Sequence, residues 1–490
     1  MKKSLVILSA VIAFAIGNAN AQYFNPSNNL LYHSQRTPQI NMLNPAFHPN
    51  TGLYIMLPAT GLQFGMPLSI GDMVTYYPEQ QRSIIDVNDI LHKLGENNDF
   101  RSVLDINLLG GGFRIGDLFM NANTRIVLNT NLGLPVQVVN AVLNGNVGPD
   151  GNPISEITLL DGDLFNMQAY LETSVGAGLR IKPINLTVGV HAKLLSGLLN
   201  LQTDETRVTF ETGANYDEVT ARVSYKIQEA AVLPIDTAGG FVQTLKNVRG
   251  HLGESIANMI DINNGNTGVA FDLGAQYNIG PFAISASIID LTSGIHWQKN
   301  VNTLVPRGGE GTFTFTGMEL GSILDGGQFN TDSIQASFTE NLNNLMPTTV
   351  LDSGDYWYSI PTKINVGASF SFLKMMRVGL LFHGQFDRGL LSKKRFTQLD
   401  LNGNVTNTFR YNTTASFGIN LFNWIELIVG SSLVFDGKNA DFLNPGVGII
   451  LTPATMFQSY IMVDYLSSLY LTEVKALNVK FGLNILFGKR

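Results

Sequence analysis

The sequence predicts an all-β chain: a transmembrane antiparallel β-barrel of about 14 strands (12–16), with an N-terminal plug-like segment and long extracellular loops. Three observations predict it. Lys363 to Phe372 alternates strictly, with Ile364, Val366, Ala368, Phe370 and Phe372 on one face and Lys363, Asn365, Gly367, Ser369 and Ser371 on the other. A period of two is the mark of a strand, because successive side chains point to opposite sides of a sheet. The unit recurs along the 490 residues at about ten residues or more, the length a tilted strand needs to cross a bilayer. Short and long connections take turns between the units, as they do where one end of a barrel carries tight turns and the other carries loops.

Composition agrees. Only 14% of residues are charged and 49 are glycine, against roughly 25% charged in soluble domains. A net charge of −7 gives no basic footprint for nucleic acid. The absence of cysteine excludes thiolate metal sites, disulfides and a lipid-anchored cysteine.

Residues 1–21 read as a signal peptide, with Lys2 and Lys3 before the apolar run Leu5 to Ile16 and Ala19-Asn20-Ala21 as the cleavage site ahead of Gln22. Export without a spanning helix places the barrel in the outer membrane of a Gram-negative bacterium, because a closed barrel satisfies its backbone in lipid. Residues 22–50 lack periodicity and are rich in Asn and Pro, the composition of turns. They form either a periplasmic lead-in or a plug built around Asn44, Pro45 and Ala46.

The barrel then occupies residues 51–490. Its strands are expected at 53–64, 102–114, 119–133, 164–181, 184–200, 267–279, 282–297, 356–372, 377–389, 406–421, 424–436, 445–452, 456–466 and 475–487. Insertions 201–266 and 298–355 are expected outside the cell. The first carries alternating strands that project beyond the membrane, and the second a helix-like Ser333 to Leu345. Helical pieces are also expected at Val87 to Leu94 and Val136 to Leu143. Trp297, Tyr356, Trp357, Tyr358, Trp424, Tyr465 and Tyr470, near strand ends, read as interfacial girdle residues.

Alternation turns Arg125, Glu172, Arg180, His191, Lys193, Asp272, Lys363, His383, Asp387, Glu426, Asp436 and Lys480 toward the lumen. Two readings follow: a charged path or plug contacts, or ordinary interior polarity neutralised by cross-strand ion pairs. His191 and His383 are the candidate bases of a hydrolase, but no G-x-S-x-G or H-E-x-x-H pattern accompanies them. No enzyme activity, cofactor or metal site is expected. The expected partners are outer-membrane lipid and barrel-assembly machinery, with a small hydrophobic ligand or a surface or secretion protein as open alternatives.

Leu43-Asn44-Pro45-Ala46-Phe47, Gly112 to Gly116, Phe271 to Tyr277 and Ile360 to Ala368 occur in an order that resembles a Bacteroidota family of outer-membrane barrels of unknown function. More distantly, the chain is similar to the long-chain fatty-acid transporter superfamily. That resemblance implies fourteen strands and a plug beginning near an Asn-Pro-Ala-like element. The superfamily includes barrels that serve type IX secretion instead of transport. The expected function is therefore a passive channel for a small hydrophobic compound, or a structural or interaction barrel of a surface complex.

Overall fold

In the computed structural model the described residues are 28–133, 156–159, 165–231, 265–315, 348–391 and 409–488, with short interruptions. The signal peptide, residues 137–143 and 333–345 of the expected helical pieces, Tyr470 and Asp387 lie outside them.

Fourteen strands close into an antiparallel barrel. β1 comprises Leu53–Met56 and Ala59–Gly65. β2 is Asp99–Ile115, β3 Leu118–Gly133, β4 Phe165–Ile181 and β5 Leu186–Thr212. β6 is Thr267–Ile279, β7 Phe282–Trp297, and β8 comprises Tyr356–Tyr358 and Lys363–Phe372. β9 is Met376–Phe386, β10 Phe409–Leu421 and β11 Ile425–Asp436. β12 is Asn439–Leu451, β13 Phe457–Asp464 and β14 Ala476–Phe487. Each strand pairs with the next, and β14 returns to β1 in the register Leu53↔Phe487 and Thr60↔Phe481. Closure removes the free edges that lipid could not satisfy.

The strands match the expected ones in order and number, with shifted ends. β5 does not stop at Asn200 but runs for 27 residues, roughly 90 Å. Its first half pairs with β6 and its second with Val219–Ala231. Val301–Pro306 continues beyond β7 and pairs with Val219–Ala231, and Thr348–Asp352 pairs with Val301–Pro306. One side of the wall therefore rises beyond the rest. Pro58 and Pro361, which lack an amide hydrogen, fall in the breaks that divide β1 and β8. At the opposite end the turns are short, with Gly116, Asn185, Gly280, Leu373 and Phe422 at positive φ.

Val175, Val190, Phe271, Leu273, Ile284, Val429 and Phe481 point outward and are each about half exposed without lipid, the apolar face of a spanning barrel. The girdle reading fails for three residues. Trp297, Tyr356 and Tyr465 are buried. Trp297 and Tyr356 join the cluster formed by Tyr170, Leu195, Ile295 and Ile360, and Tyr465 meets Asn29 of the N-terminal segment.

Candidate functional site

The lumen is stratified, and its first layer is the chain's own N-terminal segment. Residues 28–49 form a helical turn, Asn29–Tyr32, a 3-10 turn, Pro38–Met42, and the Asn44-Pro45-Ala46 corner. All lie within the barrel. Ser, Asn and Gln side chains of the wall supply the partners that the irregular backbone needs. Ser287 Oγ and Asn365 Nδ2 donate to Leu43 O at 2.7 and 3.1 Å. Asn44 Oδ1 accepts from the Ala46 amide at 2.9 Å, and its Nδ2 donates to Ala286 O on β7 at 3.2 Å. Gln39 and Asn484 exchange amide hydrogen bonds at 2.7 and 3.1 Å. Arg377 donates to His33 O at 2.9 Å, and the Leu30 amide donates to Asp464 at 3.0 Å.

Glycine makes room for this segment. A Cβ on Gly189 would come within 2.7 Å of Ala46 N, and one on Gly274 within 2.8 Å of Pro45 Cδ. Tyr32 lies against Gly367, and Leu30 against Gly430 and Gly446. Leu30, Leu31 and Ile40 pack on Ile428, Ile450, Tyr460 and Met462 of the inner wall. The lumen, to which alternation assigned polar and charged residues, is thus partly apolar: on β11 to β13 both faces carry apolar residues, so alternation could not separate them.

The second layer is a belt of alternating charge. Lys480 on β14 meets Asp105 on β2 at 3.2 Å, past Gly61 of β1. Arg125 on β3 reaches Asp105 at 3.3 Å and Glu172 on β4 at 2.8 Å. Lys193 on β5 meets Glu172 at 3.5 Å, Asp272 on β6 at 2.9 Å and Asp290 on β7 at 2.6 Å. Lys363 on β8 closes the series on Asp290 at 3.1 Å. Four cations and four carboxylates, one on each of eight strands, thus span nine adjacent strands with β1 contributing no charge, and all except Lys363 and Arg125 are more than nine-tenths buried. Ion pairs at this depth recover their desolvation cost only in such saturated arrangements.

Of the residues assigned to the lumen, Arg125, Glu172, Lys193, Asp272, Lys363 and Lys480 meet in the belt. His191 touches it through Asp272, Nδ1 to Oδ2 at 3.0 Å. His383 donates or accepts at Asn365 Oδ1, 2.7 Å away. Glu426 is buried on β11, away from the belt. Arg180 is exposed near the short-turn rim, its amide bonded to Asp117 O. The side chain of Asp436 lies outside the described residues.

Asp105 and Asp290 were missed for a common reason. Ladder irregularities, Asn107/Leu109 in β2 and the β6–β7 shifts, reverse the inside–outside parity along the strand. Asp290 itself has φ 60°, a conformation rare for a side-chain-bearing residue. Beyond the belt lies the third layer, the apolar cluster of Val127, Tyr170, Leu195, Ala270, Ile295 and Trp297.

Among the solved structures similar to this chain at low identity are two toluene transporters and a FadL homologue. The toluene transporter TbuX of Ralstonia pickettii is 10% identical over 96% of this chain and 99% of its own, with a TM-score of 0.44. The toluene transporter TodX of P. putida is 9% identical over 97% and 98%, at 0.40. A FadL homologue of Pseudomonas aeruginosa is 8% identical over 93% and 95%, at 0.39. No curated protein matches the chain. A family profile matches residues 45–464, from the Asn44-Pro45-Ala46 corner to the end of β13, and by it the chain belongs to the family of unknown function DUF5723.

Proposed function

We propose that the protein is an outer-membrane channel, passive and normally closed, for a small hydrophobic compound. The observation that carries this reading is the apolar character of the lumen. Tyr170, Leu195, Ile295 and Trp297 cluster on one side of the charge belt, and Ile428, Ile450 and Met462 lie beside the N-terminal segment. A water-filled porin has no use for such walls, whereas an apolar solute gains free energy by contact with them. In the seated state, residues 28–49 fill the lumen and hydrogen-bond to its wall. Passage requires the segment to shift.

The test is flux through the purified protein in planar bilayers and lipid vesicles, comparing the full chain with Gly274→Leu, which leaves no room for Pro45. A closed full chain and a variant that admits an apolar fluorescent solute support the channel. If both stay closed while the segment is shown to be displaced, transport is overturned.

The rise of β5, Val219–Ala231, Val301–Pro306 and Thr348–Asp352 beyond the barrel favours a second reading, a platform for a surface or secretion protein. Recovery of a defined complex that is lost when this extension is removed, with flux unchanged, supports it.

A further inference from the structure

His191 occupies an unusual position: its ring lies between the charge belt and the N-terminal segment. Nδ1 is 3.0 Å from Asp272 Oδ2, and Nε2 is 2.8 Å from Asn41 Oδ1. The Asn41 amide is oriented by its other contacts. Its Nδ2 donates to Pro45 O at 3.1 Å and Phe47 O at 2.6 Å, carbonyls that can only accept. Its Oδ1 therefore faces His191 as an acceptor, and it also receives Asn121 Nδ2 at 2.7 Å. Asp272 is an acceptor as well: its Oδ1 takes hydrogen bonds from Lys193 and from the Asp290 amide, both at 2.9 Å. The ring thus stands as the link between an acceptor of the wall and an acceptor of the segment.

We propose that His191 is a positioning residue that latches the N-terminal segment into the lumen through Asn41, so that the seat loosens when the ring is replaced by a side chain with no donor to offer. Without it the Asn41 oxygen would lose its link to the Asp272 carboxylate of the wall. The ring has no room to turn away, because it packs over Gly176, where a Cβ would stand 2.7 Å from Nε2.

Charged groups face it from three strands: Asp272 in contact, Glu172 across the small cavity they share, and Lys193 two residues along β5. From the N-terminal segment that cavity is faced by Pro38, Asn41 and Met42, all uncharged, and from β1 by Met56 and the Tyr54 phenol.

This inference rests on the segment being a movable plug, and the experiment separates the two. The chain has no cysteine, so a single thiol can be placed at will. Ser34→Cys puts one on the buried segment, and Gly354→Cys puts a reference on an exposed site. Labelling by a neutral maleimide is followed at pH 7, as the ratio of the Ser34→Cys rate to the reference rate. The ratio is expected to be about tenfold higher in the His191→Leu background than with His191 in place. In the His191→Gln background, where the amide can donate to Asn41, it is expected to stay low. Heat-modifiable migration on gels verifies that each variant forms a closed barrel.

A ratio that stays low in His191→Leu overturns the latch while leaving the plug. An equal rise in His191→Leu and His191→Gln also overturns it. A ratio near one at pH 7 shows that the segment is not seated and overturns both.

Discussion

Pro45 and Gly189 meet inside the barrel. The proline carbonyl rests against the glycine backbone where any side chain would collide with it, and Ala46 N stands 2.7 Å from the position of a Cβ. One turn of the N-terminal segment is thereby keyed to a single residue of β5, and the neighbouring Gly274 of β6 receives Asn44 and Pro45 in the same way.

Replacing either glycine should unseat the segment without destroying the wall, since a strand accepts alanine at least as well as glycine. Gly189→Ala and Gly274→Ala are expected to keep heat-modifiable migration and to raise thiol labelling of Ser34→Cys severalfold. Unchanged labelling in both would show that the segment tolerates a different seat.

The two faces of β8 should respond differently. Val366→Arg places a charge against lipid, costing roughly 2–4 kcal/mol near the midplane, and is expected to impair assembly. Asn365→Arg faces inward, where Asn365 bonds Leu43 O, Ser287 and His383. It is expected to assemble but to lose the seated segment. Gel migration reads the first effect and thiol labelling the second.

The charge belt should be costly to interrupt. Glu172→Gln leaves Arg125 and Lys193 without a shared carboxylate, and breaking a buried pair from one side costs about 3–5 kcal/mol. Lys182→Gln removes an exposed ion pair with Asp117 at the rim and should cost about 0–1 kcal/mol. Urea unfolding in lipid vesicles gives both values. Equal effects would mean that the belt adds little to stability.

Acid should weaken the seat through two other histidines. Burial, with Arg377 nearby, lowers the pKa of His33 from 6.5 to about 3, and burial beside Arg114 lowers His48 to about 4. Both belong to the N-terminal segment and are not on a wall strand. A lowered histidine pKa means that the seated form stays neutral while the released form takes up protons. The stabilisation is therefore complete above about pH 6.5 and is lost as pH falls toward 4. The Ser34→Cys labelling rate, taken as a ratio to that of the exposed Gly354→Cys reference, should increase over that interval and should do so less in His48→Gln.

The sequence made the wall legible because lipid on one side imposes a period of two, and because short turns recur at every second connection. It made Asn44, Pro45 and Ala46 legible as a unit but did not show what they touch, since Gly189 and Gly274 lie more than a hundred residues away. The belt was half legible. Lys193 and Asp272 kept the alternation, while Asp105 and Asp290 lay across irregularities that reverse it. Ile428 and Ile450 were hidden by apolar neighbours on the outer face, where pattern holds no information about side.

The Gln39–Asn484 exchange binds the N-terminal segment to the strand that closes the barrel, while Asn41 is held by Asn121 of β3 and Asn29 by Asn412 of β10. These anchors point in different directions around the cylinder. A segment tied on several sides at once cannot slip by giving up one bond at a time. It works as a spoke set across a wheel, so that moving it slackens strands far apart on the rim.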